Sequence, residues 1–167
     1  MRNIVRSVIP LITAAAMLPM TASAEDVITK RFPSLELAMD AAKGAVDACR
    51  EAGYQVSAVV VDKSAITQVV LRDALAARFT MRIAEDKANA VIMSGVSSAD
   101  FVKNRADIKD EMNEIDGVLM LAGGLPIRAA GSIIGAIGVS GAPGGEKDEE
   151  CAAKGIEKIQ ERLDFAE

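Results

Sequence analysis

Nine of the thirteen glycines fall within 29 residues, from Gly117 to Gly145. The apolar runs they separate are short: Val118 to Leu121, Pro126 to Ala130 and Ile133 to Ser140. Gly123-Gly124 and Gly131-Ser132 stand between them as turns. Three strands joined by tight turns make a meander, with the glycines marking turns and close backbone approaches. A chain with this segment must build part of its fold as antiparallel sheet.

The sequence before it supplies helices and one more hairpin. From Ser34, a plausible N-cap, Leu35, Ala38, Met39, Ala42, Ala45, Val46 and Cys49 recur at three and four residues. They predict a helix that Gly53 stops. Gln55 to Asp62, rich in β-branched residues, and Ile66 to Arg72 are strand-length runs with only Lys63-Ser64-Ala65 between them. They predict an antiparallel hairpin. Ala77 to Ser94 reads as a second helix, with Ile83, Ala84, Ala88, Val91 and Ile92 on one side. Ser97-Ser98-Ala99-Asp100 reads as a cap leading into a short helix, Asp100 to Arg105. Ala106 to Asp116 is charged and mixes turn with short helix, and a last helix begins near Glu146, with Asp148, Glu149 and Glu150 in its first turn. The order is helix, two strands, two helices, three strands, helix. This is an α+β domain with a five-stranded antiparallel sheet and helices on its faces.

Residues 1–24 read as a secretory signal peptide. Arg2 and Arg6 precede an apolar run from Val8 to Met20, and Ala22-Ser23-Ala24 supplies a cleavage site. The run is short and broken by Pro10 and Pro19, which argues against a membrane anchor. Residues 25–33 form an arm, and residues 34–167 the domain. Cleavage leaves 143 residues and moves the net charge from −5 to −7. Export implies a periplasmic or secreted protein in an oxidising compartment, where Cys49 and Cys151 become a candidate disulfide. Two buried, unpaired cysteines remain the alternative.

The chain contains no histidine, which excludes a histidine triad, histidine-ligated metal and a histidine general base at neutral pH. Its acidic balance and 3% aromatic content argue against nucleic acid as partner. The glycine segment matches neither a dinucleotide nor a phosphate loop, and Gly138-Val139-Ser140-Gly141 misses the nucleophile-elbow spacing. Asp62, at the end of an apolar strand, is the least ordinary of the carboxylates that could serve acid/base chemistry, against the plainer reading of a turn residue that captures nearby N–H groups. Glu149-Glu150 and Glu111 with Glu114 read as solvated helix faces. Arg78 and Arg82, one turn apart, could clamp an anion, against the plainer reading of surface residues with Arg82 paired to Asp86.

Two stretches together resemble a known family. One is QVSAVVVD, from Gln55, with Glu85-Asp86-Lys87-Ala88 downstream. The other is Ala122-Gly123-Gly124-Leu125-Pro126-Ile127, then Gly131, then IIGAIGVSGAPGGEKDEECA from Ile133 to Ala152. They resemble the GlcG/HbpS family of small haem-binding, haem-degrading-type proteins, and the domain is similar to the C-terminal domain of PduO-type corrinoid adenosyltransferases. The resemblance implies a three-layer α-β-α sandwich around an antiparallel five-stranded sheet. It also implies haem or a related tetrapyrrole as ligand, homo-oligomers, and a role in haem sensing or iron handling outside the cytoplasm.

The sequence departs from the family at its chemistry. Haem-binding relatives place an axial histidine near the start of the first helix, where this chain has Lys30-Arg31-Phe32-Pro33. Relatives often read Lys-Ala-x-Thr-Ala where this chain reads Lys87-Ala88-Asn89-Ala90-Val91. Haem iron is otherwise held by Met, Cys or Tyr, and Tyr54 is the residue of these types least committed to packing. Haem can also sit in an apolar slot with cationic groups on its propionates. The expected slot lies between helices and sheet near the second helix, with Arg78, Arg82 and Lys87 as carboxylate anchors. The alternative is a non-catalytic oligomeric interaction module, partner of a membrane sensor, that has lost the haem ligand. An enzymatic role rests on family analogy alone, because nothing in the residues supplies a nucleophile or metal site.

Overall fold

The computed structural model describes residues 28–166. The chain divides into residues 1–30 and a compact unit, Arg31–Glu167, which carries the fold. The expected signal peptide lies outside the described residues.

Helix α1 spans Leu35–Glu51, and the Ser34 hydroxyl caps it by accepting the Leu37 N–H at 3.2 Å. The hairpin forms as β1 (Ser57–Asp62) and β2 (Thr67–Arg72). Asp62 shapes its turn, accepting the Ser64 and Ile66 N–H groups at 2.7 and 3.1 Å. Helices α2 (Thr80–Ser94) and α3 (Ser98–Asn104) follow. Ser97 caps α3 by accepting the Asp100 N–H. A 3-10 turn, Ala106–Ile108, leads into α4, Lys109–Asn113. Strands β3 (Gly124–Ala129) and β4 (Ser132–Ser140) form the second hairpin, and α5 (Gly145–Glu157) and α6 (Gln160–Asp164) end the domain.

The sheet has four strands, not five, all antiparallel in the order β2-β1-β4-β3. The expected strand at Val118 to Leu121 does not form. Its backbone finds partners elsewhere: the Leu119 N–H donates to the Asp86 carbonyl at 3.2 Å, and the Met120 N–H to the Asn113 side chain at 2.8 Å. Val118 and Met120 are buried beside Ala90 and Phe101 in a small separate cluster. A four-residue apolar run has no period that distinguishes a strand from an irregular segment pinned to a helix.

Side chains alternate across the sheet as a strand's pleat requires. Ala58 and Val60 of β1 share a core with α1 and α5, which includes Ala41, Ala45, Ile137, Val139 and Ala152. Val59 and Val61, with Ala136, pack against Ala84, Ala88 and Val91 of α2. Helix α1 lies against α5 through small residues, and a Cys49–Cys151 disulfide joins the two, with Cα atoms 5.4 Å apart. That resolves the two readings of the cysteines. The bond forms across 102 residues of sequence.

Candidate functional site

Of the residues expected to anchor a ligand, Arg82 and Lys87 lie on α2 and Arg78 just before it, whereas Tyr54 follows α1. The Lys87 ammonium donates to Asp148 Oδ2 at 2.7 Å and to the Val139 carbonyl at 3.0 Å. It is 1% exposed. Asp148 Oδ1 accepts the Ala142 N–H at 2.9 Å, so the pair ties α2 to the end of β4 and the start of α5. Burial pushes Lys87 down and Asp148 up, and their mutual contact opposes both shifts. Arg82 donates to Asp86 at 2.7 Å and to Asp116 at 2.6 Å. The Arg78 guanidinium stacks on the exposed Phe79 ring, 4.5 Å from its centroid. Tyr54 follows the C-terminus of α1 and packs against the α1–α5 core. Lys87 and Arg82 therefore spend their charge on the protein's own carboxylates.

Around Lys87 the glycines have a packing role. A Cβ on Gly138 would lie 1.9 Å from the Ala84 carbonyl oxygen, and one on Gly123 would lie 2.7 Å from Lys87 Nζ. Helix α2 rests directly on the backbone of β4. Much of the Gly-rich segment and the Asp148-x-x-Cys151 pattern is thus accounted for by helix–sheet contact, a buried ion pair and a disulfide.

Two clefts are candidates for a ligand. The first, about 500 Å³, has apolar walls from Ala99, Ala122, Leu125 and Ala153, and carries Glu146, Glu149 and Glu150 of α5. Burial raises Glu149 above the usual carboxylate range, with the Gly123 N–H opposing and Asp100 adding to the shift. The second, about 330 Å³, lies beside the start of α1. Leu37, Ala129, Ile134 and Leu163 give it an apolar lining. Arg31 and Arg162, both exposed, flank it together with Phe32 and Ser34. Arg162 also pairs with Asp40 of α1 at 2.8 Å through Nη2, and its other guanidinium nitrogens take no carboxylate among the described residues. An apolar slot bearing two arginines suits an amphipathic carboxylate.

Sequence reasoning placed the slot near α2 and missed these residues. Arg31 carried a signal only through the resemblance, as one of the residues Lys30 to Pro33 that precede the first helix. Arg162, on a five-residue helix at the far end of the chain, carried none.

Fold and clefts together define a small α+β domain with two surface clefts and, among the described residues, no cluster of metal-ligating side chains. The chain belongs to the HbpS-like family, whose model, described as haem degrading protein HbpS-like, matches residues 34–157. A double mutant of HbpS from Streptomyces reticuli is 34% identical, with a TM-score of 0.75 over 86% of this chain and 97% of that one. A Klebsiella pneumoniae protein, ORFY, shares the fold at 20% identity and a TM-score of 0.77, covering 83% of this chain and 98% of its own. So does a PduOC:haem complex, at 21% identity and a TM-score of 0.69, covering 81% and 99%. No curated protein matches the chain.

Proposed function

We propose that this is an exported protein that binds haem or a related tetrapyrrole in the slot beside the start of α1. The observation that carries this reading is the slot's chemistry, an apolar lining with Arg31 and Arg162 at its edge. A tetrapyrrole of this class has an apolar face and two propionates. The larger cleft offers three glutamates, which repel propionates, so charge favours the smaller one. Membership of a haem-related family supports the ligand class. The residues fit the ring and its carboxylates, whereas none of those lining the slot is an axial ligand that iron takes in haem proteins.

Export is supported by the pattern of residues 1–24 and by the disulfide, a bond that persists in oxidising compartments. The role is haem sensing or iron handling outside the cytoplasm. The helices on the two sheet faces serve as outer layers of an α-β-α sandwich. A second reading, an oligomeric interaction module working with a membrane sensor, draws on Leu75 and Phe79. These are 84% and 63% exposed just after the edge strand β2.

A haemin titration of the purified protein, followed by absorbance, tests the first reading. A saturable Soret shift at one equivalent is expected, and it should weaken at least about tenfold in the Arg31→Glu/Arg162→Glu variant. Absence of any shift at stoichiometric haemin removes the reading.

A further inference from the structure

Resting on the tetrapyrrole reading, we infer that the slot recognises the ring and its carboxylates and not the iron, so that metal-free and zinc-containing porphyrins bind as well as haem does.

Haem iron in proteins is held by His, Cys, Met or Tyr. Histidine is absent from the chain. Both cysteines are joined in the disulfide, so neither offers a thiolate. Tyr54 lies past the C-terminus of α1, while the slot lies at its N-terminus. A helix of 17 residues separates them, roughly 25 Å at 1.5 Å per residue.

The methionines of the described domain are placed elsewhere. Met39 is two residues beyond Leu37 on α1, about 200° around the helix from the side chain that lines the slot. Met81 and Met93 belong to α2, which packs on Val59, Val61 and Ala136. The slot's Ala129, Ile134 and Leu163 belong instead to the core shared with α1 and α5. Met120 is fully buried beside Phe101, and Met112 packs on that same cluster.

What remains to hold the ligand is independent of the metal. Leu37, Ile134 and Leu163 meet a ring face, and the Arg31 and Arg162 guanidinium groups meet carboxylates. Those contacts are the same whether the ring centre holds iron, zinc or two protons.

The chain has no tryptophan, so the porphyrin's own emission is the readout. The purified protein is titrated with metal-free protoporphyrin and zinc protoporphyrin by fluorescence, and with haemin by absorbance. Dissociation constants within about threefold of one another are expected, and Arg31→Ala with Arg162→Ala should weaken all three alike. Ferric haem should keep a high-spin spectrum. Haemin binding at least about tenfold tighter than metal-free porphyrin, or a low-spin ferric spectrum, overturns the inference while leaving the tetrapyrrole reading intact. Failure of all three porphyrins to bind overturns both.

Discussion

Lys87 Nζ and Asp148 Oδ2 are 2.7 Å apart, with side chains 1% and 5% exposed. They come from α2 and α5, separated by 61 residues. Each partner satisfies the other, and the Val139 carbonyl and Ala142 N–H take up a remaining proton and lone pair. Such a pair adds little over a well-packed apolar substitute, but either partner alone is an uncompensated buried charge.

Removing one partner is therefore costly. Lys87→Met should destabilise the fold by about 3–5 kcal/mol, because Asp148 is left buried without its cation. The double variant Lys87→Met/Asp148→Asn should lose less than the two single changes added together. Urea denaturation of the four proteins in this cycle measures the coupling, and strict additivity would show that the pair does not act as a unit.

Gly138→Ala should be among the most damaging small changes. The added carbon would meet the Ala84 carbonyl oxygen at 1.9 Å and the Ala88 nitrogen at 3.0 Å. Both are backbone atoms of α2, so the helix must lift from the sheet, at a cost of about 3 kcal/mol or more. Thermal melts would show this, and an unchanged midpoint would mean that α2 does not sit so close to β4.

The disulfide closes a loop of 102 residues. Its loss in Cys49→Ala/Cys151→Ala should cost about 3–5 kcal/mol, chiefly by restoring freedom to the unfolded chain. Denaturation of the parent with and without reductant should give a similar difference. A thiol assay on the unfolded, unreduced protein should find no free cysteine.

Glu149 contributes a pH dependence of defined sign. Burial raises its pKa in the folded protein above the ordinary 4.5, and Oε2 has no hydrogen-bond partner among the described residues. The folded state then binds the proton more tightly than the unfolded state. The stability this confers is fully present below pH 4.5 and is lost as pH rises through the folded value. Glu149→Gln should flatten that fall and be more stable at neutral pH by about 0.5 kcal/mol. A variant as pH-sensitive as the parent between pH 4 and 7 would contradict the assignment.

The local elements were legible because their causes are local. The stripe from Leu35 to Cys49, the Ser34 cap, the Asp62 turn and the two β-branched runs each specify structure through neighbours a few residues away. Histidine's absence, too, is settled by the sequence alone, and it removes the usual haem-iron ligand before any fold is considered. Only the tertiary structure could decide the rest, because the deciding partners are distant in sequence. Val118 to Leu121 became an irregular segment tied to α2 and α4 because Asp86 and Asn113 offered its backbone hydrogen bonds. Lys87 became a buried tie because Asp148 arrived beside it. The slot exists because folding brings Arg31 and Arg162, from opposite ends of the domain, to the same apolar surface, and no pattern of neighbouring residues encodes that meeting.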